Sequence, residues 1–379
     1  MSKRPGFKLV TVLLLTTLLI MCAAGTALAA TGERQLTVQQ ALDLAMTNSN
    51  NLKSASYSID KARSSRDTAA DNVDFEPTGP QTDLTAVSNF NDLVSADLSL
   101  QQSKEQYQIK KDSVVISVYT AYNQILQDQA ALDVAQQALN LADFQKRVAA
   151  LNNQVGGASL LQLQQAGQAL TSAQSALAGA EKSLADDYQK FNQLVGLTTD
   201  ARPVPTDQPD YTPLKIGSLD AEVSRVLESS PSLAVDQKSV DQAQIKLNIY
   251  SGGSGDSYQA LKKSVDIAKL NVTTSQDSTA QSLRSLYYSI TQLESAHDSL
   301  QQKLATDEMN LQMTQLKHDT GAASSIDILT AQSDVAQDKQ DLLENIIKHQ
   351  VDVLTFETPW AGSGSGGSSG SGSGSSSAS

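Results

Sequence analysis

Apolar residues recur along most of the chain at alternating steps of three and four positions. The pattern is clearest from Leu163 to Leu194, where leucine and alanine alternate over most of the stretch, and from Leu283 to Leu311. This spacing is typical of coiled coils, because it places one apolar stripe of each helix against a neighbouring helix. It predicts unusually long helices, and a helix over residues 89–152 would extend about 95 Å at 1.5 Å per residue.

Polar residues indicate where helices begin. Thr37, followed three residues later by Gln40, is typical of a capping box and predicts a first helix from this point to about Asp71. After a break, helical spacing resumes near Asn89, and in the second half of the chain it resumes near Ser257. The predicted order in each half is therefore a helix, a break and a pair of long helices.

Two short breaks separate the long helices, and each contains glycine where a helix would end. Glycine is favoured there because it adopts the left-handed conformation without a steric penalty. Ser324 followed by Asp327 is also typical of a cap at the start of the next helix. Each break therefore predicts the tip of a helical hairpin. The tip residues are Val155, Gly156, Gly157 and Ser159 in the first hairpin, and Thr320, Gly321, Ala322 and Ser324 in the second.

Matching residues recur at one fixed separation along the chain, which indicates a duplication. The pairs that share this separation are Tyr122 and Tyr287, Gly156 and Gly321, and Phe191 and Phe356. We therefore predict an all-α protein of long antiparallel coiled-coil hairpins in two tandem repeats, over residues 30–199 and 214–360. The linker between them, residues 200–213, is rich in proline, which cannot continue a helix.

The two ends of the chain differ from the repeats. A basic stretch, an apolar run over residues 9–21 and the small pair Ala27 and Ala29 predict a secretory signal peptide over residues 1–29. The one cysteine lies in this segment, so we expect no disulfide in the mature protein. Residues 361–379 are almost only glycine and serine and predict a flexible tail.

Composition narrows the function. The formal net charge of −13 argues against a nucleic-acid partner, since a phosphate backbone requires a basic surface. The three histidines, His297, His318 and His349, are far apart and have no carboxylate at ligand spacing, so we expect polar helix positions rather than a metal site. No catalytic motif is present, and we expect neither an enzyme nor a cofactor. Asp187 and Asp307 lie on the apolar stripes, where they either set helix register or face a water-filled lumen.

These features resemble the TolC-type outer-membrane efflux proteins. Residues 36–52 resemble the opening segment of that family, and residues 321–331 resemble its tip pattern G-x-x-S-x-x-D-x-L-x-A. The first tip keeps Gly156 and Ser159 but has Gln162 in place of the aspartate. We therefore expect the first tip to keep only the turn and the Leu/Ala stripe that follows it, and the second to be the better candidate for a tunnel mouth.

The resemblance implies an assembly and partners. It implies a homotrimer whose hairpins close into a TolC-like α-helical barrel, and tips that dock onto a periplasmic adaptor of an inner-membrane pump. The docking residues would be the eight tip residues given above. Three copies of Asp327 would ring the tunnel mouth and favour cations. Thr330 stands where the family often has a second acidic residue, so such a ring would be weaker here.

The chain departs from that family in one respect. The family has two membrane β-strands per repeat between the first and second helices, and each needs about 9–11 residues of alternating pattern. Residues 71–88 and 250–256 show no such alternation. We therefore expect little or no β-barrel, leave contact with the membrane open, and place the protein in the outer membrane, the periplasm or at the cell surface. The alternative function is a structural coiled-coil stalk without a pore.

Overall fold

The computed structural model describes residues 35–77, 83–250 and 257–362. In these residues two short strands, β1 (Gln35–Leu36) and β2 (Val204–Pro205), pair in parallel, and the rest of the regular structure is helical. The helices are α1 (Val38–Asn48), α2 (Asn50–Asp71), α3 (Leu84–Gln154), α4 (Leu160–Val195), α5 (Leu219–Glu228), α6 (Pro231–Asn248), α7 (Tyr258–Asp319), α8 (Ser325–Glu357) and α9 (Pro359–Gly362).

The long helices form two tandem hairpins, as the apolar spacing predicts. In the first hairpin the 71-residue α3 packs against the 36-residue α4. In the second, the 62-residue α7 packs against the 33-residue α8. The all-α prediction is therefore confirmed. Helix α3 begins before the predicted Asn89, because the Asp83 side chain caps it and accepts from the backbone N–H groups of Thr85 (3.0 Å) and Ala86 (3.1 Å).

The first predicted helix is two helices, so the expectation of one helix from Thr37 to Asp71 is wrong. Its start is correct, since Thr37 and Gln40 form the predicted capping box. The chain then breaks at Ser49, whose ψ of 112° lies outside the helical region. Its hydroxyl accepts from the backbone N–H of Leu52 (3.3 Å) and caps α2. A serine in a helical pattern can thus begin a new helix where it would otherwise be a surface residue.

Each repeat has a core at the end of its hairpin away from the tip. In the first, the rings of Tyr122 and Phe191 meet edge to face with centroids 6.1 Å apart. In the second, Tyr287 and Phe356 occupy the corresponding places, with centroids 6.5 Å apart. The residue pairs that indicate the duplication therefore pack alike in space.

Buried polar contacts join the two repeats. Helix α3 packs against α8, and the buried Asn123 side chain donates to Gln350 Oε1 over 2.8 Å. The short α9 packs against α3, and Trp360 Nε1 donates to Asp112 Oδ2 over 2.7 Å. Polar groups buried between helices are favourable only when hydrogen-bonded, so these contacts fix which residues of the two repeats meet.

Several predictions fall on residues that lie outside the described ranges. The signal peptide over residues 1–29 is one, and all but the start of the tail over 361–379 is another. The loops proposed to replace membrane strands are a third, because residues 78–82 and 251–256 are not described. Within the described ranges, no helix combines the length and apolar character that a membrane span requires.

Candidate functional site

The first hairpin tip is a tight turn of backbone hydrogen bonds. Helix α3 ends as Gly156 enters the left-handed region with φ of 75°. The N–H of Gly157 then donates back to the carbonyl of Asn152 (2.7 Å), and the N–H of Gly156 donates to the carbonyl of Asn153 (3.1 Å). This is a Schellman motif, which satisfies carbonyls that the end of a helix would leave without partners.

The second tip repeats this geometry. Gly321 has φ of 76°, and its N–H donates to the carbonyl of His318 over 2.9 Å. The N–H of Ala322 donates to the carbonyl of Lys317 over 2.7 Å. Both tips therefore reverse the chain with one conformation, and each needs a residue that tolerates positive φ at one position.

The helices that follow the tips are capped alike, which corrects the expectation that the first tip keeps only the turn. Ser324 and Asp327 form a capping box, in which the carboxylate accepts from the Ser324 N–H (2.7 Å). Ser159 and Gln162 form the same box in the first tip, with the amide oxygen accepting from the Ser159 N–H (2.8 Å). Glutamine closes the box as well as aspartate because only an acceptor oxygen is required.

The two tips differ in charge. The backbone N–H of Ser324 lowers the pKa of the Asp327 carboxyl, and the Ser324 hydroxyl acts in the same direction. Asp327 therefore stays ionised near neutral pH and brings a negative charge to the second tip, whereas Gln162 brings none to the first. The cap that the sequence predicts for Asp327 is present, and its role at a tunnel mouth remains a prediction.

The first tip has an apolar surface that sequence reasoning largely missed. Val155 and Leu160 are 82% and 72% exposed, and Leu151 and Leu161 beside them are also exposed. Among these, the sequence analysis singles out only Val155. The sequence held a signal for the other three, because leucines next to a turn lie at the end of a hairpin, where little of the partner helix can cover them. Exposed apolar groups gathered in one place are typical of interaction surfaces.

The second tip is more polar at the matching positions. By the separation that relates Gly156 to Gly321, Thr320 corresponds to Val155 and Ser325 to Leu160, and the charged Asp319 is exposed next to Thr320. Leu316 corresponds to Leu151 and is likewise exposed, and the exposed Met309 and Met313 follow α7 away from the turn. All nine residues that the sequence predicts for docking and for the tunnel mouth lie on the two tips.

Away from the tips, the structure brings together residues that the sequence keeps far apart. His297 of α7 and the buried His349 of α8 both contact Tyr211 of the linker, with ring centroids 3.6 and 5.0 Å from it. His349 also lies 3.3 Å from Glu294, which accepts from the backbone N–H of Leu214. This cluster holds the linker on the second hairpin. In the part of the chain that the structure describes, no three His, Cys, Asp or Glu side chains are placed to hold a metal ion.

Asp187 and Asp307 each meet a buried aspartate of the other helix in their hairpin. Asp187 of α4 faces Asp128 of α3, and Asp307 of α7 faces Asp338 of α8. In the second hairpin Lys303 bonds both carboxyls, so a cation bridges that pair. The first pair has no cation that bonds both members among the described residues.

An architecture of two tandem helical hairpins on one chain is shared with outer-membrane channel proteins. The channel OprN is 13% identical with a TM-score of 0.64, over 86% of this chain and 90% of its own. The Neisseria gonorrhoeae channel MtrE, in its open state, is 16% identical with a TM-score of 0.58, and the match covers 86% of this chain and 88% of MtrE. The Campylobacter jejuni channel CmeC is 14% identical with a TM-score of 0.57, and the match covers 92% of this chain and 94% of CmeC.

This chain therefore has the fold of the TolC-type outer-membrane channels, and the resemblance found in its sequence is confirmed at the level of the fold. No family model matches the sequence, and no curated protein sequence matches it. The likeness thus lies in the arrangement of the helices rather than in residue identity.

Proposed function

We propose that this protein is an efflux channel component in which three copies pool their hairpins into one helical tunnel. The observation that carries the proposal is the fold, which matches outer-membrane channels over more than four-fifths of both chains in each comparison. The cargo would be small molecules or proteins, and the chain itself would do no chemistry. Lumen width and the charges that line it would select what passes.

Exposed surface on the long helices supports the assembly. Ile267 and Leu270 of α7 and Tyr57 of α2 are large apolar side chains that are more than half exposed. A helix with exposed apolar residues outside its hairpin contact is expected to pack against further helices, because exposed apolar area is unfavourable in water. Three copies arranged in a closed ring would supply those neighbours.

Docking through the tips is supported by their geometry and surface. Each turn is fixed by two backbone hydrogen bonds and a capping box, so a partner would meet a rigid surface and lose little entropy on binding. The exposed Val155, Leu160 and Leu161 give the first tip the apolar centre that protein interfaces favour. We propose a periplasmic adaptor of an inner-membrane pump as the partner, and the outer membrane or periplasm as the location.

The assembly is tested by the mass of the purified mature protein and by electron microscopy of its shape. We expect a trimer with a hollow centre, and ion conductance when it is reconstituted. A monomer, or a filament that passes neither ions nor solute, would contradict the tunnel and support the alternative, a structural stalk.

The docking surface is tested by co-expression with candidate adaptors from the same genome. Replacing Leu160 and Leu161 by serine should abolish co-purification, because the apolar centre of the tip is lost. Tyr288→Ser is the matched control, since this residue is 66% exposed but lies on α7 far from the tips. Equal loss in both variants, with trimers intact, would show that the first tip is not the docking surface.

The tunnel mouth is tested with single cysteines, which the predicted mature chain otherwise lacks. Crosslinking the Asp327→Cys variant between copies should reduce conductance. Gln162→Cys is the control, because this residue occupies the same place in the other capping box. Conductance that is unaffected by crosslinking at residue 327 would place the constriction elsewhere.

A further inference from the structure

Two carboxyl groups face each other between the helices of the first hairpin. Asp128 on α3 is only 8% exposed, and Asp187 on α4 lies against it. Asp128 Oδ1 accepts from the side-chain amide of Gln124 over 3.1 Å. Its second oxygen, Oδ2, is buried, and none of the described groups donates a hydrogen bond to it. A buried oxygen without a hydrogen-bond donor is unfavourable in free energy, so protonation of this carboxyl is favoured.

The surrounding charges leave Asp128 uncompensated. The charged groups that act on it most strongly lie on α4 and are Asp187 and Lys190, whereas its own helix contributes the neutral Gln124. Lys190 Nζ lies 2.6 Å from Asp187 Oδ1 and 2.8 Å from Asp186 Oδ2, on the solvent side. The lysine pairs with these two carboxylates, and its charge only partly offsets the burial of Asp128.

These conditions favour the protonated form of Asp128. Burial raises the pKa of its carboxyl to about 6, and the hydrogen bond with Asp187 and the negative charge of that residue act in the same direction. A protonated Oδ2 would donate to the Asp187 carboxylate, which gives the buried oxygen its partner and joins α3 to α4. After ionisation, two like charges would face each other in the same space.

We propose that Asp128 and Asp187 share one proton between α3 and α4, and that this pair makes the first hairpin a clasp that tightens in acid. The proposal goes beyond the channel function, since it concerns the regulation of one hairpin and holds in a stalk as well. Its consequence is that the first hairpin opens more readily at neutral pH than at acidic pH.

The second hairpin has no facing carboxyls at the equivalent positions, and its own pair, Asp307 and Asp338, lies elsewhere along the helices and is bridged by Lys303. By the separation that relates Tyr122 to Tyr287, Leu293 corresponds to Asp128, and Asp352 corresponds to Asp187. The Asp352 carboxylate accepts from the hydroxyl of Ser289 over 3.0 Å. With leucine at the position equivalent to Asp128, there is no second carboxyl with which a proton could be shared.

The direction of the pH effect follows from the raised pKa of Asp128. The closed hairpin holds the proton more tightly than an opened one, in which the carboxyl returns to its ordinary value of 3.8. Stability from this pair is therefore complete below about pH 4 and is lost as pH rises toward about 6. Above about pH 6 the stability no longer changes, and the equilibrium constant for opening is up to about a hundredfold larger than below pH 4.

Hydrogen exchange of the full mature protein measures this opening directly. After correction for intrinsic exchange, the amides of α3 and α4 beside the pair should open up to about a hundredfold more readily at pH 7 than at pH 4. Asp128→Asn should abolish the rise and remain protected at pH 7, since its amide donates to Asp187 at every pH. Asp352→Asn is the matched control and should leave the rise in α3 and α4 intact.

A second variant and a second readout keep the inference testable. Asp187→Asn should reduce the rise, because the neighbouring charge is removed. The infrared carbonyl band of protonated carboxylic acids should be weaker at pH 5 in Asp128→Asn than in the wild type, by the contribution of one carboxyl. An Asp128→Asn protein with wild-type pH dependence, or with less protection than the wild type at pH 7, would overturn the proposal.

Discussion

Gly196, at the end of α4, is a position where both backbone conformation and space exclude a larger residue. Its φ is 77°, in the left-handed region. A methyl group added here would lie 2.5, 2.7 and 2.8 Å from Nδ2, Cγ and Cβ of Asn48. That asparagine is the last residue of α1, and its Nδ2 donates to the carbonyl of Val195 over 2.9 Å. Gly196→Ala must therefore strain the backbone and displace the contact between α1 and α4.

The cost can be separated into these two parts. A non-glycine residue in the left-handed region costs about 1 kcal/mol. Loss of the Asn48 hydrogen bond leaves a carbonyl of the buried Val195 without its donor, which costs about 1–3 kcal/mol. We expect Gly196→Ala to lower the free energy of unfolding by about 2–4 kcal/mol. Gly156→Ala should cost only about 1 kcal/mol, since that glycine has φ of 75° and nothing lies within 4 Å of an added methyl group.

Denaturant unfolding followed by circular dichroism measures both variants, and a double-mutant cycle isolates the clash. In an Asn48→Ala background, Gly196→Ala should cost only the backbone part, because the colliding side chain is gone. The reasoning would be refuted if Gly196→Ala cost no more than Gly156→Ala, or if its cost were unchanged in the Asn48→Ala background.

Substitutions at three further residues test contacts on which the fold and the tips depend. Tyr122→Phe removes a buried hydroxyl that donates to one backbone carbonyl and accepts from one backbone N–H, and should cost about 1–3 kcal/mol in denaturant unfolding. Trp360→Phe removes the indole donor to Asp112 and should cost about 1–2 kcal/mol by the same assay. Asp327→Gln should keep the amides of the second tip protected from hydrogen exchange at pH 7, as glutamine does in the first tip, whereas Asp327→Ala should expose them. Because the pKa of Asp327 is lowered, its cap is present above the ordinary value of 3.8 and is lost as pH falls below it, and Asp327→Gln should remove that acid sensitivity.

Features set by residues close in sequence could be predicted. The tips needed only a glycine at the helix end and an acceptor three residues after a serine, so both turns follow from short stretches. The break at Ser49 could not be predicted, because the serine lies in a continuous helical pattern like many exposed serines. The boundary coincides with a change of neighbours, since α1 packs on both α3 and α4 whereas α2 packs mainly on α3. Such neighbours are distant in sequence and do not show in the local pattern.

Pairs of distant residues were the least predictable part of the molecule. Asp187 could be placed on the apolar stripe of α4, but its partner Asp128 lies on another helix and depends on how the two stripes align. His297 and His349 lie on different helices, and both contact Tyr211 of the linker. Spacing along one helix shows which face a residue occupies, and it does not show which residue of the next helix lies opposite.

The two repeats share a scaffold and differ in chemistry. Their turns, caps and core aromatic pairs are alike, so the two hairpins are built on the same framework. The first carries an apolar, uncharged tip and a pair of carboxyls without a cation between them. The second carries the charge of Asp327 and a pair of carboxyls bridged by Lys303. In a ring of three chains, the two kinds of hairpin would alternate, and a partner would meet apolar and charged tips in turn. A duplicated fold thus gains two kinds of surface because the scaffold is held by glycines and buried rings, which leaves the exposed tip residues free to diverge.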